Sequence, residues 1–367
     1  MMPTITGWRD LVVQRLHNQQ LSRPMFDKPD ELVRWMGAVQ AQDFLYSLWA
    51  LGLRLPHTTE ADIEQAIANR TILRTWPMRG TVHFVPAEDA AWMLALLGQR
   101  VINMYQTPRR KAGLDEELLA KSRNVLTQAL AGKQLTRKEV YAALEAAGIA
   151  ANQNTPIGTR GLHIIGQLAL EGLLCFGPRR GKQPTFVLLD EWVPNPRKLA
   201  GDEAVAELAS RYFRSHGPAT VYDFAWWAGL PLTSARLAIE LVKPQLERET
   251  IADRTYWFTG ELAVPQEPAA DAYLLPYLDE YTVAYQDRSA LVDPDYVEAI
   301  NASSQFGILG PVIVIGGRVA GAWKRTLRKD KVIVETNPVI PLTPTEEAAI
   351  TAAVQRFANF VGLPVEY

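Results

Sequence analysis

A chain of 367 residues has room for two or three domains at roughly 100–200 residues each. Hydrophobic residues at 48% and charged residues at 21% are ordinary globular values and exclude a disordered chain. The net charge of −2 excludes a polycation, and the single cysteine, Cys175, excludes an intramolecular disulfide or a multi-thiolate metal site within one chain.

In chain order, Trp8, Leu11, Val12 and Leu16 recur at helical spacing, as do Leu32, Val33, Met36 and Val39. An apolar run follows from Phe44 to Leu53, and Thr59 reads as the N-cap of a helix over 60–69 with Asp62 in its first turn. The β-rich runs 71–76 and 81–85, joined through Pro77-Met-Arg-Gly80, predict a hairpin, after which Pro86 opens a helix. Residues 106–113 read as a basic linker.

Thr136 with Glu139 three residues on is a capping box for a helix ending near Gly148. A second helix runs from about Thr159 to Glu171. Then come a strand at 173–176, a loop at 177–183 and a return strand at 185–189. Helix, turn, helix and a hairpin with a basic tip is the order of a winged helix-turn-helix. The order recurs: Thr220 begins a helix through Trp226-Trp227, Thr233 caps another to about Val242, and 246–258 form strand, turn and strand. The first third reads as an elaborated version of the same plan.

Beyond Pro265 the runs 273–276, 312–315, 318–323 and 331–335, with a Gly316-Gly317 turn, predict a small sheet or barrel. Thr343 caps a final helix from about Pro344 to Phe360. The expected fold class is therefore α+β: three tandem winged helix-turn-helix units over 1–115, 116–195 and 196–265, then a C-terminal β-barrel with a helix over 266–367.

Met1–Gly7 lacks a basic stretch followed by an apolar core, and no run approaches the about 18 apolar residues of a membrane span, so the expected location is the cytoplasm. Metal-protease, nucleophile-elbow, phosphate-loop and dinucleotide signatures are missing, and five scattered histidines have no i,i+4 pair. Neither a metal nor a cofactor is expected.

Two features carry chemistry. Basic clusters occur at Arg109, Arg110 and Lys111, at Arg179, Arg180 and Lys182, and around Lys324 and Arg325, with Arg79 at a hairpin tip. In a winged helix such cations contact phosphate; the alternative is a solvated turn or a plain linker. Gln40 and Gln42 flank Ala41 between two apolar helices, where amides would be half-buried and would need partners. Asp43 is a plausible N-cap for the helix that follows. His83 either touches a ligand or is a hydrogen-bonded histidine of the sheet edge.

The sequence resembles the AlkZ-like winged-helix DNA glycosylases over nearly its whole length. The resemblance rests on Ala38-Val-Gln-Ala-Gln-Asp43, on Leu73 to Glu88, on Gly217-Pro-Ala-Thr-Val-Tyr-Asp-Phe-Ala-Trp-Trp-Ala-Gly229, on Leu274-Leu-Pro-Tyr-Leu-Asp-Glu-Tyr281 and on Gly317-Arg-Val-Ala-Gly-Ala-Trp-Lys-Arg325. It implies three tandem winged helices and a β-barrel around a DNA-sized concave face. The family's catalytic Gln-Φ-Gln motif maps onto Gln40 and Gln42, with Ala41 smaller than the usual middle residue. A sister branch carries Asp at the second position, where this chain has Gln.

What the resemblance implies is hydrolysis of the N-glycosidic bond of N7-alkylated guanine in double-stranded DNA, including bulky adducts or interstrand crosslinks, by a monomer. Asp43 and His83 are candidates for catalytic support. The other reading, from the winged-helix pattern alone, is a DNA-binding regulator or architectural protein without activity.

Overall fold

The computed structural model describes Ile5 and residues 7–111, 113–155, 158–260 and 271–367. Most of the N-terminal stretch read above, and the boundary expected at 265/266, lie outside these residues. The described residues form two compact units, one of Met1–Ile63 with Ala206–Tyr367 and one of Glu64–Val205.

In the second unit the hairpin Ile72–Met78 and Thr81–Pro86 turns at Arg79-Gly80, both at positive φ (56° and 74°), the conformation a two-residue hairpin turn requires. Pro86 does not open the next helix directly: a 3₁₀ turn, Ala87–Asp89, precedes helix Ala90–Met104.

The expected linker at 106–113 is instead a helix, Gln106–Lys111. Pro108 sits in its first turn, where a missing N–H costs nothing, and the three cations of its last turn oppose the negative end of the helix dipole. Arg109 also donates from Nη1 to the Ile102 carbonyl (3.1 Å), an acceptor near the end of the preceding helix.

Helix Glu116–Leu130 leads to the short strand Leu135–Thr136 and helix Arg137–Ala146, whose Thr136–Glu139 capping box forms as expected. Helix Arg160–Leu170 and strands Leu174–Arg180 and Gln183–Leu188 complete this half of the unit. The loop read over 177–183 is mostly strand. A register shift between Gly177 and Arg180 absorbs Pro178, leaving a tight turn at Gly181-Lys182. Leu135–Thr136 pairs with Gln183–Leu188, and Arg74 with Phe176, so the two hairpins share one antiparallel sheet. Leu126, Leu130, Val140, Leu144, Ile164, Leu168, Leu174 and Phe186 fill the core beneath.

In the first unit, Thr220 and Asp223 form a capping box for helix Val221–Ala228. Helix Leu232–Val242 begins one residue before the expected cap at Thr233, with Pro231 as the N-cap residue. Strands Glu247–Ile251 and Arg254–Phe258 form the expected hairpin.

The expected barrel is not closed. The described strands Ala272–Leu275, Val312–Ile315, Arg318–Leu327, Val332–Pro338 and Val365–Glu366 form one open sheet in that order, the last pair parallel. Closure is unnecessary because helix Pro344–Val361 covers the sheet: Phe357 packs edge-on against Trp323 (5.2 Å) and Trp49 (5.1 Å), and Arg356 Nη2 donates to the Ala272 carbonyl (3.0 Å). Alternating strand residues look alike in a barrel and in an open sheet with a helix on one face. The expected Gly316-Gly317 turn is present, and a Cβ at Gly317, whose φ is +85°, would lie 2.6 Å from the Val12 side chain.

Candidate active site

Helix Pro29–Met36 ends at Gly37, whose φ of +78° turns the chain out of the helix into the short strand Val39–Gln40. Gln42 and Asp43 follow in a bend, and helix Phe44–Gly52 begins. The motif is thus a stretch of extended chain held at each end by a helix terminus. The expected half-burial splits between the two amides: Gln40 is 6% exposed, whereas Gln42 is exposed to solvent.

Glu280 fixes the motif from behind. Its Oε1 accepts the backbone N–H of Gln40 at 2.7 Å, and its Oε2 accepts the indole N–H of Trp227 at 3.0 Å. Both Glu280 and Trp227 are fully buried. His216 Nε2 lies 3.3 Å from Glu280 Oε2, and its Nδ1 is 2.8 Å from Ser215 Oγ. The neighbouring Asp279 forms a two-point pair with Arg54 (2.9 and 2.8 Å), both side chains being fully buried. Arg54 spends its remaining donors on the carbonyls of Gln19 (2.9 Å) and Ala50 (2.8 Å) and on Gln19 Oε1 (3.1 Å), while Asp279 Oδ1 also accepts from the Tyr281 N–H. Sequence reading missed this carboxylate pair as a functional element. Its signal was two adjacent acids inside the apolar run from Leu274 to Tyr285, a placement that demands buried partners.

Burial pushes the His216 imidazole below its ordinary value, against an upward pull from Glu280. Below about pH 6.5 the unfolded chain takes up a proton here that the folded one resists. This contribution to stability should therefore be fully present at neutral pH, shrink as the pH falls through the unfolded value, and level off below the folded one. Urea unfolding between pH 7.5 and 5 checks this: His216→Gln should flatten the slope, and an unchanged slope would remove His216 as its source.

Asp43 caps helix Phe44–Gly52 by accepting the Tyr46 N–H at 3.0 Å, so the structural role considered for it is present. The Arg325 guanidinium lies over the Tyr46 ring (4.2 Å) and nearer its face than that of Phe357 (5.5 Å). Burial lowers the guanidinium's ordinary value, while Tyr46 and Asp43 oppose the shift. Burial likewise raises the Tyr46 hydroxyl, with Arg325 opposing and Asp43 adding to it. Arg325 is thus a partly desolvated cation beside the motif's helix cap. The adjacent Lys324 points elsewhere and pairs across strands with Glu335 (2.9 Å).

The model of the family "DNA glycosylase AlkZ-like" matches residues 33–360. The chain belongs to the AlkZ-like DNA glycosylases. It is 25% identical over 369 residues to the interstrand DNA cross-link repair glycosylase of Streptomyces sahachiroi, covering 97% of this chain and 95% of that protein. The solved structure of the Streptomyces sahachiroi DNA glycosylase AlkZ shares its fold, with a TM-score of 0.77 at 23% identity over 99% of this chain and 100% of that one. Family membership selects the enzyme over the non-catalytic DNA-binding protein.

For an AlkZ-like glycosylase DNA is the substrate, and the expected contact residues of the second unit are less available than their sequence implies. Arg179 pairs with Glu64. Arg180 binds both oxygens of Glu139 (2.8 and 3.0 Å) and the Gln134 carbonyl (2.6 Å). Lys182, Arg110 and Lys111 are exposed, and Arg109 is half-buried. His83 is fully buried, its Nδ1 2.9 Å from the Thr81 carbonyl and its Nε2 3.2 Å from Arg79 Nη2. A carbonyl only accepts, so Nδ1 carries the proton and Nε2 accepts from Arg79. His83 therefore braces Arg79 across the hairpin turn.

If the hairpin at 174–188 meets phosphate, Glu64→Gln should raise DNA affinity by removing the carboxylate that neutralises Arg179, and Arg179→Ala should lower it equally for all sequences. Every phosphate newly neutralised, or left without its cation, should change the slope of log affinity against log salt by about 0.9. Titration at several salt concentrations reads both, and an unchanged slope in both variants would take Arg179 off the DNA surface.

No described helix is long and apolar enough to cross a membrane.

Proposed function

We propose that this glycosylase hydrolyses the N-glycosidic bond of N7-alkylated guanine in double-stranded DNA, including bulky adducts or interstrand crosslinks, and that Gln40 and Gln42 hold the hydrolytic water. The observation that carries the reading is the asymmetry of the motif. Gln40 is buried and its backbone is fixed by Glu280, while Gln42 stands exposed two residues on. The backbone of one glutamine is held in place, and the other glutamine is open to solvent. The name of the Streptomyces sahachiroi relative, an interstrand DNA cross-link repair glycosylase, supports the same substrate class.

The chemistry suits uncharged amides. Alkylation at N7 makes the base cationic and a good leaving group, so no strong acid has to protonate it. What is needed is a water held near the anomeric carbon and support for an oxocarbenium-like centre. A glutamine oxygen accepts from water while its nitrogen donates. Neutral amides suffice for a cationic lesion and are too weak for an unmodified purine.

The winged-helix reading is part of the proposal. It is supported over 116–195 by the order helix, strand, helix, two short paired strands, helix, strand, strand and a four-residue helix, with the first strand, Leu135–Thr136, paired to the last, Gln183–Leu188. The hairpins at 72–86 and 247–258 are the counterparts in the units 1–115 and 196–265.

Incubating the protein with duplex DNA carrying N7-methylguanine should release the free base and leave alkali-labile abasic sites, with unmodified duplex untouched. Binding without base release would defeat the proposal.

A further inference from the structure

We infer that Glu280 is a positioning residue for base excision: it sets the backbone of Gln40, and with it the geometry of the amide pair. The inference rests on the assignment of Gln40 and Gln42 as the amides that hold the water. A two-residue strand has little rigidity of its own, and the amide pair needs sub-ångström placement to orient a water. The backbone N–H of Gln40 is given to a carboxylate oxygen at 2.7 Å, a charge-assisted hydrogen bond. The other oxygen of that carboxylate accepts from Trp227 at 3.0 Å and lies 3.3 Å from His216, which restrains the acceptor.

The groups facing Glu280 come from separate elements. Gln40 is on the motif strand, Trp227 on helix Val221–Ala228, and His216 follows helix Gly201–Ser215. Glu280 itself opens the short helix Glu280–Val283, which Asp279 caps and Arg54 ties to helix Phe44–Gly52. A carboxylate fits this position because each of its two oxygens accepts an N–H, one from Gln40 and one from Trp227. A glutamine offers one acceptor, so either Gln40 or Trp227 would be left facing an amide N–H₂.

That mismatch supplies the test. Glu280→Gln should slow release of N7-methylguanine by about tenfold or more, the scale expected when a positioned group drifts by a fraction of an ångström to an ångström, while duplex binding changes little. Adding Trp227→Phe removes the competing donor and frees the glutamine carbonyl for Gln40. The double variant should therefore regain several-fold in rate over Glu280→Gln even though removing an indole lowers its melting temperature. A purely structural Glu280 predicts the opposite, with rate and stability falling together.

Should Glu280→Gln not fold, Glu280→Asp carries the same measurement. It keeps the charge but withdraws it by one methylene, and a folded protein with slowed base release and normal DNA binding is expected. A wild-type rate in a folded Glu280 variant, no rescue by Trp227→Phe, or failure of both Glu280 variants to fold would each overturn the inference. Gln40→Ala run alongside separates the two levels. If it is fully active, the assignment of the amides falls; if it is slow while folded Glu280→Gln is not, only the role of Glu280 falls.

Discussion

Replacing Gln40 and Gln42 together by alanine should leave a folded protein that retains DNA but releases N7-methylguanine no faster than the spontaneous reaction. Each single alanine should cost about 100-fold in single-turnover rate, because groups that orient a water act chiefly in the transition state. Affinity for the duplex should stay within a few-fold of the unaltered protein, so the loss belongs to the chemical step. The two positions should not behave alike. Gln40 is buried on an anchored backbone, so its variant will also cost some stability, whereas Gln42 is exposed and should be nearly neutral in unfolding experiments.

Gln42→Asp is the more informative change, since it offers a true base where the amide stood. Retained activity means the position needs an acceptor for water; lost activity means it needs the N–H₂ donor or a neutral group. Asp43→Asn preserves a helix cap and should be tolerated if capping Tyr46 is the main work of that residue. Wild-type base release by the double alanine variant would end the assignment.

Asp279→Ala should be the most destabilising single change near the site. It strands the Arg54 guanidinium in a fully buried position, and breaking such a pair by removing one partner costs about 3–5 kcal/mol. It also removes the cap that Tyr281 N–H uses. A marginally stable domain has few such units to spare, so the variant should unfold at a much lower urea concentration or fail to accumulate. Replacing both partners with apolar residues, Arg54→Leu with Asp279→Leu, should recover much of the loss, because the penalty lies in the unpaired charge. Urea midpoints for the single and double variants check this, and equal losses in both would mean that shape rather than charge holds this part of the fold.

The family and its DNA glycosylase activity were legible in sequence because the resemblance is carried by local signals. A capping box is two residues three apart, a hairpin is two alternating runs with Arg79-Gly80 between them, and the motif lies within three consecutive positions. Where the reading went astray, the deciding partner lay elsewhere in the chain. Residues 106–113 look like a linker until the Ile102 carbonyl is seen to take Arg109, and the last sheet looks closed until helix Pro344–Val361 is placed over its face. The ion pairs of Arg179 and Arg180 could not be read in sequence, because Glu64 and Glu139 are 115 and 41 residues away. Above all, Glu280 is 240 residues from Gln40. Sequence alone determined that two glutamines stand two positions apart between apolar helices. Only the tertiary structure decided which carboxylate holds the Gln40 backbone, because a buried acid is defined by the donors that fold around it.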